Sequence, residues 1–388
     1  MAVNETVLVI GGSGFLGQHF IKLLFQFKDE LEIKEIRSLD KEPFTNKIGD
    51  FDTSELVTFI GDICEPETLS PAFIGVDTVF HCAAYVNIQY PPNYDELERV
   101  NVDGTRSVVD MCVKNNVKRL LYTSCASVCL IPFKGSTFSI IINQTESKAK
   151  TPVFNTQKSP IDFDKGFLIP GYSSSKLRAE TIVLNTSGTT LSNQTDYLHT
   201  VAIRPPLTYG EGDNHFVPAV FKFLLKRGKV YPRIAGSGGK QQLAYAGNVA
   251  WGHICAYKTL KSKPKAIAGL PVFITDDTPI NDMARFIQKM GNATGTLKFK
   301  TSFWYIPHFI FYFLAFLTEM FIKASNPLFN YKLNYSLRAI ASFTASVLLF
   351  NRLRADIHID YEPLFDEKKS LEQSGKWYNK WYQEYMQN

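Results

Sequence analysis

Residues 6–20, TVLVIGGSGFLGQHF, place four glycines where an apolar run meets a stretch whose apolar residues recur every three or four positions. The order is strand, tight turn, helix, and few folds accept it. Gly11, Gly14 and Gly17 fit GxxGxxG, while Gly12, Gly14 and Gly17 fit GxGxxG. Such a turn lets the backbone approach a pyrophosphate closely and lets the helix pack on the strand. The first helical residues, Phe15 and Leu16, then present their amides to the anion. Asp40 follows 23 residues after Gly17, at the end of the next apolar run. A carboxylate there accepts hydrogen bonds from adenosine ribose hydroxyls and repels a 2′-phosphate, which favours NAD over NADP.

The rest of the first half repeats the alternation. Strands are predicted at 6–10, 35–40, 56–60, 78–82, 119–124 and 199–205, with covering helices in LGQHFIKLLFQF and NVDGTRSVVDMCVKNN. This is the pattern of an α/β, Rossmann-like, doubly wound parallel sheet. It predicts a dinucleotide-binding domain over 1–205, with a polar surface insertion at 131–170, and a smaller C-terminal substrate lobe over 206–388. With 388 residues, 45% of them hydrophobic, the chain can bury a large core. Its net charge of +5 is spread without a Lys/Arg block, so no nucleic-acid footprint is read. Six cysteines stand singly, with no CxxC pair, which fits a reducing compartment and no structural metal.

Four further positions carry chemistry. Asp62, after the third strand, is placed to meet the adenine amino group. Ala83, in HCAA (81–84), is small enough for a cofactor to cross the strand ends. In GYSSSKLRAE (171–180), Tyr172 and Lys176 are four apart and share a helix face. An ammonium beside a phenol favours the phenolate, so Lys176 is expected to lower the Tyr172 pKa from about 10 and make it a base toward an alcohol. The same lysine is expected to hold the nicotinamide ribose.

GGSGFLG, Asp40, Asp62, NVDGT (101–105), YTSCASV (122–128) and YSSSK resemble the extended short-chain dehydrogenase/reductases. IRPPLTYGEGD (203–213), YAGNVAWGHICA (245–256) and FITDDTP (273–279) narrow the resemblance to the 3β-hydroxysteroid dehydrogenase/Δ5-Δ4 isomerase family. It implies NAD-dependent oxidation of a steroid or sterol 3β-hydroxyl, with Tyr172 taking the proton. It also raises Δ5 to Δ4 isomerisation, for which Asp276 and Asp277 are candidates beside a plain turn role. Two departures stand out. Cys125 occupies the place of the family's usual second serine, and 47 residues separate it from Tyr172, a long interval. Strand alternation would put Thr123, Cys125 and Ser127 on one face, making Ser127 the substitute donor to the substrate oxygen.

FWYIPHFIFYFLAFLTEMFI (303–322) is apolar over bilayer length, broken by His308 and Glu319. It reads as a membrane-associated helix, with a buried helix or a protein-interaction face as alternatives. The partners expected are a steroid or sterol and membrane lipid. The location expected is the endoplasmic reticulum or mitochondrial membrane, with the catalytic lobe facing cytosol, and a homodimer is left open. Sterol-4α-carboxylate 3-dehydrogenase is the neighbouring alternative. A sugar-nucleotide epimerase shares the first-half motifs, and an NAD-binding sensor or scaffold would explain Cys125.

Overall fold

The computed structural model describes residues 4–49, 51–152, 163–164, 166–235 and 239–387. In chain order the first half runs β1 (Glu5–Ile10), α1 (Phe15–Gln26), β2 (Ile33–Asp40), β3 (Val57–Ile60), α2 (Pro66–Phe73), β4 (Thr78–His81), α3 (Tyr94–Leu97), α4 (Gly104–Lys114), β5 (Arg119–Thr123), β6 (Ile140–Gln144), α5 (Tyr172–Asn185) and β7 (His199–Arg204). The second half runs β8 (Leu207–Tyr209), α6 (Val217–Leu225), β9 (Val230–Ile234), β10 (Lys240–Gln241), β11 (Leu243–Tyr245), α7 (Ala246–Ser262), β12 (Leu270–Phe273), α8 (Met283–Ala293), β13 (Lys300–Ile306), α9 (His308–Phe329), α10 (Leu337–Ala345), β14 (Val347–Phe350), α11 (Leu353–Ile359) and α12 (Glu367–Gln387).

Seven strands form one parallel sheet in the order β12-β7-β5-β4-β1-β2-β3. Central strands such as TVLVI are buried along their length, as a sheet covered on both faces requires. Val7, Val9, Phe80 and Ile203 pack on one side with α1 and α7, and Leu8, Ile10, Val79 and Leu120 on the other with α2 and α4. The direction of winding reverses between β1 and β4, and the crevice beyond their carboxyl ends is where such sheets bind ligands.

The expected boundary at 205/206 does not separate sheet from lobe, because β12 closes the main sheet beside β7. Its four residues, LPVF, were too short and too proline-marked to read as a core strand. The expected surface insertion at 131–170 is also built in. Its β6 pairs with β14, some 200 residues later in the chain, within a three-stranded parallel sheet. Ile141 and Ala149 are buried with Leu348, Phe350 and Phe273. Residues 153–162 and 165 of that insertion lie outside the described residues.

The hydrophobic stretch 303–322 is not one helix. Phe303, Trp304 and Tyr305 belong to β13, which pairs with β9, and Pro307 starts α9. Proline fixes φ and needs no amide partner, so it ends the strand and opens the helix. Among the described residues one helix is long and apolar enough to cross a membrane, over His308–Asn326. His308 and Glu319 face the protein, whereas Lys323 is exposed. Glu319, 1% exposed, accepts from Ser336 Oγ at 2.8 Å and Arg338 Nε at 2.6 Å, and His308 Nε2 meets Thr137 Oγ1 at 2.7 Å. Phe309, Phe313 and Phe321 stand exposed on the other side, and Trp304 on β13 is exposed as well.

Candidate active site

The glycine turn is shaped by contacts that only glycine tolerates. Gly11 has φ +88°, and a Cβ there would lie 2.7 Å from Ala83 N. A Cβ at Gly17 would stand 2.1 Å from Gly11 O, so that glycine seats α1 on the turn. Gly14 differs. Its φ is −79°, and a Cβ would meet only Gly11 O, at 3.1 Å. Its smallness is not demanded by packing, which leaves its outer face free for a ligand's close approach. Phe15 and Leu16 follow as the first residues of α1, whose N-cap offers no side-chain hydrogen bond and whose first turn has no acid. An uncapped, uncharged helix start suits a pyrophosphate.

Asp40, at the end of β2, accepts from Ser13 N at 2.9 Å and from Glu42 N at 3.2 Å. The turn and the carboxylate are thus one unit, with lone pairs still available to ribose hydroxyls. Asp62 accepts from Cys64 N at 2.9 Å in the turn between β3 and α2. Ala83 is held over β1 by its amide, which donates to Ile10 O at 3.0 Å. Its Cα and Cβ lie 2.9 and 3.2 Å from where a Cβ on Gly11 would stand. These residues fit a dinucleotide laid across the carboxyl ends of β1, β2 and β4.

On the other side of the switch point, β5 ends at Thr123 and the chain turns. Thr123 Oγ1 lies 2.9 Å from His253 Nε2, and His253 Nδ1 lies 2.8 Å from Val249 O. A carbonyl only accepts, so Nδ1 carries the proton and Thr123 donates to Nε2. Burial, which lowers the His253 pKa to about 4, keeps this ring neutral. Ser124 Oγ donates to Glu180 at 2.6 Å, and Glu180 is paired within the fold to Arg204. Thr123 and Ser124 are therefore structural.

Cys125 Sγ accepts from Ser127 N at 3.3 Å and so caps the short 3-10 turn Ala126–Cys129. The strand alternation expected to carry through Ser127 stops at Thr123, because this turn rotates the following side chains. Ser127 is nonetheless notable: its hydroxyl is buried and, among the described residues, has no hydrogen-bond partner. Native proteins rarely leave such a group unmatched unless something else binds it.

Tyr172 opens α5 beside the Cys125 and Tyr122 side chains. Burial, with the neighbouring thiol, pushes its phenol well above 10. The expected lowering by Lys176 is not what the geometry gives. Lys176 Nζ donates to Thr123 O at 2.7 Å and stands 4.3 Å from the Tyr122 ring centre. Burial lowers its pKa to about 8. Helical spacing does put Tyr172 and Lys176 on one face, but the ammonium's partners are drawn from β5.

Two site residues had no weight of their own in the sequence. Asn101 lies in a π-helical turn, Glu98–Asp103. It holds Tyr85 N and O at 2.8 and 3.1 Å and donates to Ser175 Oγ at 2.9 Å, tying the loop after β4 to α5. An asparagine inside a helical pattern, NVDGT, was its visible signal. Asp164 accepts from Gly171 N, Ser174 Oγ and Tyr94 OH at 2.5, 2.7 and 2.7 Å, clamping the start of α5. The isomerase candidates are engaged elsewhere. Asp276 is buried and holds Tyr245 N and Asn248 Nδ2 at the start of α7, and exposed Asp277 pairs with Arg352.

Comparison with known proteins gives two results. The model of the 3-beta hydroxysteroid dehydrogenase/isomerase family matches residues 8–304, well over half of the chain. Solved structures share the fold at low identity. A UDP-galactose 4-epimerase is 14% identical at a TM-score of 0.65, covering 97% of this chain and 99% of its own. A dTDP-glucose 4,6-dehydratase from Bacillus anthracis in complex with NAD is 17% identical at 0.61, covering 97% of each chain. A short-chain dehydrogenase/reductase superfamily protein from Agrobacterium tumefaciens with bound NAD is 15% identical at 0.63, covering 99% and 100%.

Proposed function

The chain belongs to the 3-beta hydroxysteroid dehydrogenase/isomerase family, and from that premise we propose that it is an NAD-dependent oxidoreductase converting the 3β-hydroxyl of a membrane-dissolved steroid or sterol to the 3-ketone. What supports the reading is that the glycine turn follows β1 and Thr123, which holds Lys176, ends β5 in the same parallel sheet, with Tyr172 beside Cys125 and with Ser127, among the described residues, keeping a buried hydroxyl without a partner. Asp40 selects NAD by accepting ribose hydroxyls and repelling a 2′-phosphate.

When bound, NAD supplies the acceptor for the hydride that leaves carbon 3. Tyr172 takes the hydroxyl proton as that hydride departs. Lys176, fixed by Thr123 O and the Tyr122 ring, supplies positive charge next to the reacting centre and a donor to the ribose. Ser127 donates to the substrate oxygen where Cys125, a weak donor, cannot. Double-bond migration needs an acid–base group between carbons 4 and 6. Asp276 and Asp277 are both engaged by protein groups, so the proposal stops at the ketone. The exposed Phe309, Phe313 and Phe321 of α9 seat the enzyme on the membrane that dissolves its substrate.

The test is NADH formation by purified protein with a 3β-hydroxy-Δ5 steroid, with NADP in parallel and the product's double bond located by ultraviolet absorbance. The expected result is NADH with NAD, little turnover with NADP and a product retaining its Δ5 bond. Binding of NAD without turnover on a panel of 3β-hydroxysterols would leave a sensor or scaffold as the better reading.

A further inference from the structure

Two short basic runs, KRGK (226–229) and KFK (298–300), stand far apart in the chain. The fold joins them, because β9 and β13 pair in parallel and Lys300 N donates to Lys229 O at 2.9 Å. We infer that this ribbon is a binding surface for anionic phospholipid headgroups, distinct from the apolar face of α9, an inference that rests on the reading of the enzyme as membrane-bound and not on its reaction.

The cations are exposed and unpaired. Phe299 is buried between exposed Lys298 and Lys300, so alternation turns both lysines outward. Lys226, Arg227 and Lys229 are exposed on the other run, and none of these five pairs with a carboxylate among the described residues. The surrounding chain supplies few counter-ions. From residue 214 to 318 it carries 14 lysines and arginines against three acids, Asp276, Asp277 and Asp282, although the whole chain has a net charge of only +5. All three acids are engaged elsewhere. Asp276 holds Tyr245 N and Asn248 Nδ2, Asp277 pairs with Arg352, and Asp282 caps α8 by accepting from Arg285 N at 2.9 Å. Gathering like charges without partners is unfavourable in water, and a negatively charged surface offsets it.

The same ribbon carries an aromatic wedge. Thr301 faces Tyr231 and Tyr305 faces Arg233, so Ser302, Phe303 and Trp304 bulge opposite Pro232 alone. Proline has no amide to give the ladder, which lets β13 swell there. Ser302 Oγ holds the bulge, accepting from Arg233 N at 3.2 Å and donating to Trp304 O at 2.6 Å. Phe303 and Trp304 are left 85% and 81% exposed, their rings edge to face with centres 5.4 Å apart. Rings held out in water on a strand that begins with an exposed lysine suit the bilayer interface, where aromatic side chains sit among headgroups and ammonium groups meet phosphates. From the bulge the chain passes through Pro307 into α9, with its exposed Phe309 and Phe313, which makes lipid the occupant shared by both elements.

Co-sedimentation of the full-length protein with vesicles tests this without turnover. Each lysine or arginine held at an anionic surface is worth about fivefold in partitioning. Partitioning onto a phosphatidylcholine–phosphatidylserine mixture should therefore exceed that onto phosphatidylcholine alone by about tenfold or more, and the gain should vanish in high salt. Lys229→Gln, Lys298→Gln and Lys300→Gln together should cut the gain to below about twofold, with binding to phosphatidylcholine and melting temperature unchanged. Quenching of tryptophan fluorescence by brominated phosphatidylcholine should be larger in the wild type than in Trp304→Phe. Equal partitioning of the wild type onto both vesicles, a full gain in the triple variant, or identical quenching in Trp304→Phe overturns the inference. No binding to either vesicle overturns it together with the membrane reading. A protein that oxidises no sterol yet keeps the charge-dependent gain sinks the proposed reaction and leaves this surface standing.

Discussion

The Lys176 ammonium stands 4.3 Å from the centre of the Tyr122 ring, and this contact, with the Thr123 carbonyl at 2.7 Å, fixes where the charge of the site lies. The lysine is thereby held on β5. Burial sets the two groups' pKa values far apart, Tyr172 well above 10 and Lys176 at about 8.

That separation predicts the pH profile. The fraction of Tyr172 able to accept a proton rises tenfold per pH unit below its pKa, and the Lys176 charge is lost above about 8. The logarithm of kcat/KM with NAD in excess should climb with a slope near one up to pH 8 and flatten beyond it. In Lys176→Arg, which stays charged, a weaker activity should keep climbing past pH 8. A wild-type profile falling between pH 6 and 8 would show that Tyr172 is not the base.

Burying the ammonium also costs stability. Its folded pKa lies below the unfolded value near 10.4, so the unfolded chain binds more protons between those values. Stability contributed by this group should therefore rise as pH increases from 8 toward 10.4. At pH 7, Lys176→Met should raise unfolding free energy by about 1–3 kcal/mol while abolishing turnover. Chemical denaturation at pH 7 and 10 checks both the size and the sign.

Ser127 and Cys125 separate function from packing. Ser127→Ala removes a buried hydroxyl that has no partner, so the melting temperature should hold or rise, while kcat falls by about 10²–10³. Cys125→Ser keeps an acceptor for the Ser127 amide and restores a strong donor, so turnover should be kept or raised. Tyr172→Phe should abolish it. If Ser127→Ala and Cys125→Ala both leave kcat unchanged, neither side chain serves the substrate oxygen.

The two ends of the glycine turn should respond differently. Gly11→Ala forces a Cβ to 2.7 Å from Ala83 N at φ +88°, and the protein should lose about 2 kcal/mol or more and express poorly. Gly14→Ala meets only one atom, at 3.1 Å, and should melt within a few degrees of wild type. Its NAD affinity, read by titration, should nevertheless drop at least tenfold. Equal melting temperatures for both variants would contradict the assignment of Gly11 to packing and Gly14 to ligand.

The apolar face of α9 makes a prediction about lipid. Phe309→Glu, Phe313→Glu and Phe321→Glu together should lower co-sedimentation with phosphatidylcholine vesicles at least tenfold and leave the fold intact, since all three are exposed. Unchanged partitioning would move the lipid contact elsewhere, with the exposed Phe303 and Trp304 of β13 the next candidates.

The sequence determined what short-range sterics and periodicity control. Six of the main-sheet strands, the glycine turn, the placement of Asp40 and the shared face of Tyr172 and Lys176 were all legible, because each depends on residues within a few positions of one another. Tertiary structure decided what depends on partners far along the chain. It recruited β12 to the main sheet, paired β6 with β14, and turned Glu319 and His308 of an apolar helix toward the protein. It gave Lys176 the Tyr122 ring and left the Ser127 hydroxyl without a partner among the described residues. Burial and long-range contact set the energy of a charge or a hydroxyl, and a helical spacing of four residues says only which side chains face the same way.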